Sequence, residues 1–193
     1  NRKKLALKHN YNYKDLISMN QTHGNNVVIV DKNSTKIIDD CDGIITNEKD
    51  LPLMVMVADC IPILLHDEKN DVIAAIHAGR NSTFLKIVEI TVQKMIHNFD
   101  TKAENIRAVF GPSIQKCCYE VSTELANITE KSFGKEFVNG RNIDLQGINK
   151  SILVQNGVKN IKILNNCTKC SSSEHFSYRK DHKTGRFAGI IKL

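Results

Sequence analysis

One apolar stretch, residues 51–80, constrains the fold of this chain more than any other feature of the sequence. Its opening run LPLMVMVA is uniformly apolar and too short to cross a membrane, so it predicts a buried strand that ends at Asp59-Cys60. The next two apolar runs flank the polar segment 68–71, which predicts a hairpin whose second strand ends at His77, followed by Ala-Gly. A thiol and an imidazole therefore stand at strand ends, beside small residues that let a ligand approach the backbone.

The remaining elements favour an α+β fold with mixed sheets. Strand and helix patterns follow one another without strict alternation, which argues against a doubly wound parallel sheet. A length of 193 residues suits one domain, which we place at residues 1–193. The pattern predicts helices over 1–19, 84–96, 123–133 and from an Asp144 cap to 156, and strands at 27–30, 44–47, 106–110, 161–164 and 185–191.

The composition excludes several function classes. The net charge of +6 comes without a basic run or interleaved aromatics, so we expect a solvated surface and no nucleic-acid partner. No segment is long and apolar enough for a membrane span, and no signal peptide is visible. Six irregularly spaced cysteines fit a reducing cytoplasm better than a disulfide framework.

Three potential metal ligands, His23, Cys60 and His77, occupy equivalent positions between a strand and a turn. Taken singly, each is more often a structural residue. As a set, one cysteine and two histidines leave the fourth position of a tetrahedral zinc open, as a catalytic site requires. Such a zinc makes hydroxide available at neutral pH. We therefore expect a catalytic zinc on these residues.

Other polar residues have more than one interpretation. Asp59 can act as a general base, orient a neighbour or cap the strand. Arg80, Arg179 and Arg186 can bind a phosphate or carboxylate, or lie in solvent. The four cysteines 117, 118, 167 and 170 can form a closed zinc site, which we disfavour because adjacent cysteines suit one tetrahedron poorly.

Six ordered motifs make a family resemblance visible. The chain resembles the laccase-like multicopper polyphenol oxidoreductase family over nearly its whole length. The motifs are Gln21-Thr22-His23-Gly24, Cys41-Asp42-Gly43-Ile44-Ile45-Thr46-Asn47, Ala58-Asp59-Cys60-Ile61-Pro62, His77-Ala78-Gly79, Gly111-Pro112-Ser113-Ile114 with Cys118-Tyr119-Glu120-Val121, and Phe176-Ser177-Tyr178-Arg179 with Gly185-Arg186.

The resemblance implies a layered α/β/β/α sandwich and one zinc on the family's His, Cys and His. It implies purine nucleoside phosphorolysis, with adenosine deamination and methylthioadenosine phosphorolysis in the same site, and hence purine nucleoside and phosphate as partners. Some members are described as editing peptidoglycan precursors. Carried onto this chain, catalytic roles fall on Asp59, Cys60 and Arg80, and substrate contacts on Gln21, Asp42, Cys118, Tyr178 and Arg179.

Two departures from the family pattern stand out. Where the family reads His-Ala-Gly-Trp-Arg-Gly, this chain has Arg80-Asn81-Ser82 after Gly79, so the tryptophan is absent and an arginine stands one position early. The family's N-terminal strand and glycine-rich turn, which precede a pair like Asn1-Arg2, are also missing from this sequence. We expect one wall of the pocket to be more open as a result.

The laccase name can be tested against the histidine count. A four-copper oxidase needs many imidazoles, often in His-x-His pairs, whereas this chain has seven histidines and no such pair. A single copper can replace zinc on the Cys-His-His set, since copper binds such ligands at least as tightly. A copper-dependent polyphenol oxidase is therefore the weakest of the enzymatic hypotheses.

Three hypotheses follow. The first is a zinc-dependent purine nucleoside phosphorylase and adenosine deaminase in which Asp59 accepts a proton. The second is a Cys-His amidohydrolase of peptidoglycan precursors in which His77 activates Cys60. The third is a non-catalytic protein that senses a metabolite. The sequence does not determine the oligomeric state, the preferred purine or the role of Arg80.

Overall fold

The computed structural model describes residues 2–172 and 175–193. Five α-helices and twelve strands lie in this part of the chain, with two short 3₁₀ turns between them. In chain order the helices and strands are α1 (Arg2–Lys8), β1 (Ser18–Met19), β2 (Val27–Ile29), β3 (Ile37–Ile38), β4 (Gly43–Thr46), β5 (Leu53–Val57), β6 (Ile61–Asp67), β7 (Val72–Ala78), α2 (Arg80–Phe84), α3 (Ile87–Phe99), β8 (Ile106–Phe110), α4 (Thr123–Phe133), β9 (Val138–Asn139), β10 (Asn142–Ile143), α5 (Leu145–Gln155), β11 (Asn160–Ile163) and β12 (Phe187–Ile191).

A six-stranded mixed sheet forms the centre of the molecule, in the order β11-β8-β6-β7-β4-β2. The outer pairs β11–β8 and β4–β2 are parallel, and the inner pairs are antiparallel. The predicted hairpin is confirmed as β6–β7, in a register that pairs Pro62 with His77. The expected α+β class with mixed sheets is confirmed as well.

The central strand β7 is buried at every position. Its alternate residues face two different cores, because successive side chains of a strand point to opposite faces. Ala74 and Ile76 pack in the core shared with α3 and α5, whereas Ile73 and Ala75 pack against the antiparallel pair β5–β12 and the neighbouring strand β1. The sheet is thus covered by helices on one side and by a second layer of strands on the other.

The helix expected over 84–96 is divided, which corrects the sequence-based prediction. Helix α2 ends at Phe84 and α3 begins at Ile87, because Lys86 between them has a φ of 56° in the left-handed region. The apolar stripe continues across this break, so periodicity alone cannot reveal it. Helix α2 itself begins at Arg80, almost directly after β7, and so lies next to His77 in the chain.

The helix predicted over 1–19 is also shorter than expected. Helix α1 ends at Lys8, and the segment after it leads into β1, where a parallel bridge from Ile17 to Leu53 joins the second layer of strands. The later helices match their predictions, and the Asp144 carboxylate caps α5 by accepting a bond from the Gly147 N–H at 2.8 Å. No helix within residues 2–172 and 175–193 has the length and apolar character needed to cross a membrane.

Candidate metal centre and active-site cavity

The three predicted metal ligands meet at one point. His23, Cys60 and His77 each offer a donor atom, and these atoms all lie within 4.8 Å of one another. The two imidazole rings stand edge to face, with centroids 4.7 Å apart and an interplanar angle of 80°. His77 is buried, Cys60 is half-buried and His23 is exposed, so the set opens toward solvent on one side.

Unusual backbone conformations aim two of these ligands. His23 has a φ of 61° in its turn, and Asp59, directly before Cys60, has a φ of 89°. Non-glycine residues adopt such conformations at some cost and mostly at functional sites. Gly79 contributes by lacking a side chain, since a Cβ there would lie 3.0 Å from the His23 ring and 3.2 Å from the Cys60 sulfur.

A buried carboxylate, Asp42, holds both histidines. Its Oδ1 lies 2.6 Å from His77 Nδ1 and accepts the His23 backbone N–H at 3.0 Å. Its Oδ2 accepts the backbone N–H groups of Thr22 and Gly24 at 3.1 and 2.8 Å. The bond to Nδ1 leaves His77 Nε2 free for a metal, which is the usual arrangement behind a metal-binding histidine.

This role differs from the substrate contact predicted for Asp42. The Asp42 carboxylate is fully buried and does not line the cavity, because strand β4 begins directly after it and places it behind His77. Burial alone would raise its pKa, but hydrogen bonds from His77 and from the 22–24 turn hold that pKa below the ordinary value of 3.8. Asp42 is therefore ionised at neutral pH and acts as a positioning residue.

The electrostatics of the set favour a metal-binding thiolate. Burial opposes ionisation of Cys60, yet hydrogen bonds from His23 and His77 lower the pKa of its thiol to about 6. Burial likewise opposes protonation of His77, but Asp42 and the Cys60 thiolate raise its pKa to about 9. One anionic sulfur and two imidazoles within bonding reach of a common point are a suitable donor set for a divalent transition metal.

A cavity of about 560 Å³ opens over the metal ligands. Its volume is in the range of small-molecule sites. Its wall combines residues from the His23 turn, the end of β5, the start of α2 and the segment around residue 179. The lining residues are Met19, Asn20, Gln21, His23, Met56, Val57, Ala58, Asp59, Cys60, His77, Arg80, Asn81, Tyr119, Tyr178, Arg179 and Arg186.

Asp59 lines this cavity, and its carboxylate is held on both oxygens. Oδ1 accepts the Thr168 hydroxyl at 2.6 Å, and Oδ2 accepts the Arg179 backbone N–H at 2.7 Å. The residue is 7% exposed. These bonds fix the orientation of the carboxylate beside Cys60.

Three arginines give the cavity a positive wall. Arg179 lies over the Tyr119 ring at 4.8 Å and donates through Nη1 to the Glu120 carbonyl at 2.8 Å. The Arg80 guanidinium donates two bonds to the Asn81 side chain. Together with Arg186 these residues line a cavity in which Asp59 is the one acidic residue among the described lining residues, so the wall favours an anionic ligand.

The other predicted substrate contacts are distributed unevenly. Tyr178 lines the cavity and is 50% exposed. Gln21 lines it too, but both polar atoms of its side chain bond to the Met56 backbone, at 2.8 and 2.9 Å. Cys118 lies outside the cavity, in a separate cluster of thiols. Sequence reasoning assigned no role to Tyr119, which lines the cavity, although it stands in the motif Cys118-Tyr119-Glu120-Val121.

Comparisons with known proteins agree on one family. The chain matches the family model described as multi-copper polyphenol oxidoreductase laccase over residues 1–193. A purine nucleoside phosphorylase from Clostridium acetobutylicum is 36% identical, over 96% of this chain and 80% of that protein. One from Campylobacter jejuni is 34% identical, over 94% of this chain and 80% of that protein.

Two solved structures share the fold of this chain. Hypothetical protein YfiH from Bacillus licheniformis has a TM-score of 0.92 at 28% identity, covering 100% of this chain and 79% of that one. YlmD from Geobacillus stearothermophilus has a TM-score of 0.90 at 25% identity, covering 99% and 78%. With the sequence match and the fold in agreement, the chain belongs to the multi-copper polyphenol oxidoreductase laccase family.

Proposed function

We propose that this protein is a zinc-dependent purine nucleoside phosphorylase that also deaminates adenosine and phosphorolyses methylthioadenosine in the same site. The observation that carries the proposal is the meeting, in one cavity, of a three-ligand metal set and three arginines. The names of the relatives from Clostridium acetobutylicum and Campylobacter jejuni support the phosphorylase activity. The free cysteines are compatible with the cytoplasm, where we place the protein.

Zinc would be held by His23, Cys60 and His77. Three protein ligands leave one position for a substrate atom, as in other catalytic zinc sites. When bound, zinc supplies a Lewis acid that polarises electron-rich substrate atoms and makes water a stronger acid. Copper is the alternative metal for the same ligands, because its affinity for them is at least as high.

Phosphate would be held by Arg179 and Arg80. In phosphorolysis a phosphate oxygen forms a bond to C1′ of the ribose, the bond from C1′ to the purine nitrogen breaks, and its electron pair leaves with the purine. Arg179 is already fixed by the Tyr119 ring and the Glu120 carbonyl, so little ordering is needed when the anion binds. Tyr178 and Met56 provide apolar surface for the base.

Deamination would use the same cavity without phosphate. Water adds to C6 of the adenine ring, and ammonia leaves. Asp59 supplies a carboxylate in the cavity wall that can accept the proton of that water. The bonds from Thr168 and the Arg179 N–H keep it oriented while the proton moves.

A chromatographic assay tests both activities. Metal-quantified protein is incubated with adenosine or methylthioadenosine, with and without phosphate. We expect adenine only when phosphate is present, and inosine from adenosine in either case. Arg179→Gln should raise the KM for phosphate about tenfold or more, because a bidentate anion contact is lost. Arg107→Gln, which removes a surface ion pair with Glu68, is the charge-matched control. Zinc-loaded protein that forms neither product would contradict the proposal.

The alternative function is a cysteine amidohydrolase. The line from Asp42 through His77 to Cys60, with 2.6 Å between the first two, is the arrangement of a nucleophile, a base and an orienting carboxylate. In that case muropeptide amides would be cleaved by metal-free protein, and alkylation of Cys60 would stop the cleavage. Stoichiometric zinc on Cys60 in the active enzyme would exclude this alternative.

A further inference from the structure

A second cluster of metal-binding groups lies outside the cavity. The thiols of Cys117, Cys118, Cys167 and Cys170 all lie within 4.8 Å of one another. None of them forms a disulfide. The sequence analysis disfavours one zinc site on these four residues because Cys117 and Cys118 are adjacent. The folded chain nevertheless brings all four sulfurs together.

Two tight turns make this convergence feasible. In the first, the N–H groups of Cys118 and Tyr119 both donate to the Gln115 carbonyl at 2.9 Å. In the second, the Ser171 N–H donates to the Cys167 carbonyl at 3.0 Å. A helix-like turn places residues three apart on the same side, which brings Cys167 and Cys170 together.

The sulfur separations fit a single tetrahedral ion. Zinc–sulfur bonds of about 2.3 Å put the sulfurs of a regular tetrahedron about 3.8 Å apart. Cys117 and Cys170 are separated by 3.6 Å, and the upper limit of 4.8 Å leaves only small side-chain adjustments. A disulfide requires sulfurs at about 2.05 Å, much closer than the 3.6 Å pair.

The surroundings of Cys167 favour a thiolate. Its sulfur accepts bonds from the backbone N–H groups of Gln115, Lys169 and Cys170, and such bonds stabilise negative charge on the sulfur. Four thiols this close cannot all ionise without a cation between them, because the negative charges repel one another. A divalent ion at their centre resolves this repulsion.

We propose that Cys117, Cys118, Cys167 and Cys170 bind one zinc ion, separate from the ion on His23, Cys60 and His77. Four thiolates leave no open position, so this site is structural rather than catalytic. Sulfur-only tetrahedral sites select zinc or iron among common metals, and zinc is the ion we assign.

The site would secure the wall of the active-site cavity. The two turns are already linked by backbone bonds, from the Thr168 N–H to the Ser113 carbonyl at 3.0 Å and from the Ser113 N–H to Asn166. Thr168, directly after Cys167, holds the Asp59 carboxylate, and Ile114 donates to the Asp59 carbonyl at 2.9 Å. An ion joining these turns would fix Asp59 without touching substrate.

Metal analysis of four proteins tests the proposal. By elemental mass spectrometry we expect about two zinc ions per chain in the wild type and about one in His77→Ala and in the double variant Cys167→Ser/Cys170→Ser. Cys41→Ala removes a thiol outside both sites and should retain both ions. Unchanged zinc in the double variant, or iron in place of zinc, would overturn the assignment.

A second measurement does not depend on the folding of any variant. Zinc X-ray absorption of the wild-type protein should show bonds of about 2.3 Å to about 2.5 sulfurs per zinc on average, compared with about one if only the Cys60 site is filled. An average near one sulfur, or metal-free protein with a disulfide among the four cysteines in non-reducing mass spectrometry, would refute the site.

Discussion

The substitution Asp42→Asn examines how one buried carboxylate holds the metal centre. The change keeps the size of the side chain but replaces one acceptor oxygen with an NH₂ group. In the wild type, Oδ1 accepts hydrogen bonds from His77 Nδ1 and the His23 N–H, and Oδ2 accepts them from the N–H groups of Thr22 and Gly24. Whichever oxygen the amide nitrogen replaces, two N–H donors then face a donor instead of an acceptor.

The two N–H donors left without an acceptor determine the expected loss of stability. A buried polar group left without its partner costs about 1–3 kcal/mol, so we expect a loss of about 3 kcal/mol or more in the free energy of unfolding. For a chain of this length that corresponds to a decrease of about 6–12 °C in Tm. Because the pKa of Asp42 is lowered, this stabilisation is present at neutral pH and is lost as acidification passes through the folded-state pKa, below 3.8.

The metal should be affected as well. If His77 changed tautomer to accept a bond from the new NH₂ group, its Nε2 would carry the proton and could not bind a metal. Loss of such a supporting bond typically reduces metal affinity about 10–100-fold. Competition with a zinc chelator measures the affinity, and thermal unfolding of the metal-free protein measures the stability.

The matched control is Asp40→Asn. Asp40 is exposed, accepts a bond from the Thr22 hydroxyl at 2.8 Å, and has a φ of 44° that asparagine tolerates. We expect this variant to keep the wild-type Tm and zinc affinity. If Asp42→Asn also matched the wild type in Tm and in zinc affinity, Asp42 would not position the two histidines as described.

Three further predictions concern the same region. Gly79→Ala should weaken zinc binding about tenfold, because the added methyl group would lie 3.0 Å from the His23 ring and 3.2 Å from the Cys60 sulfur. The Tm of the metal-free protein should stay nearly unchanged; chelator competition measures the zinc affinity and calorimetry measures the Tm. Thr168→Val should reduce kcat about tenfold and the free energy of unfolding by about 1–2 kcal/mol, because Asp59 Oδ1 loses the 2.6 Å hydrogen bond from the Thr168 hydroxyl. An unchanged kcat would show that Asp59 takes no part in the mechanism. In metal-free protein, the rate of Cys60 alkylation, measured by peptide mass spectrometry, should increase with pH around a midpoint near 6, because the reactive thiolate forms above its pKa of about 6. A midpoint near 9 would contradict the hydrogen bonds assigned to the Cys60 sulfur.

The sequence predicted the elements whose pattern is local. The uniformly apolar runs around residues 51–80 identified β5, β6 and β7, and with them the positions of Cys60 and His77. The capped helices α4 and α5 were also predictable, because their caps and stripes lie within a single segment. The break at Lys86 was not, since a left-handed residue leaves no mark on the apolar period.

Interactions between distant segments were beyond the sequence pattern. Asp42 and His77 are 35 positions apart, and nothing local shows that a strand pairing brings the carboxylate behind the imidazole. Cys117 and Cys170 are 53 positions apart, and their meeting depends on the link between Ser113 and Cys167. Such contacts are set by sheet register and turn geometry, which single-sequence reasoning does not determine.

The most direct measurement is phosphorus NMR of the zinc-loaded protein with adenosine and inorganic phosphate. Phosphorolysis predicts a ribose 1-phosphate signal that grows in proportion to free adenine and disappears when the metal is removed with a chelator, then returns when zinc is restored. Adenine without ribose 1-phosphate, or turnover that persists in protein shown to be metal-free, would contradict a metal-dependent phosphorylase built on His23, Cys60 and His77.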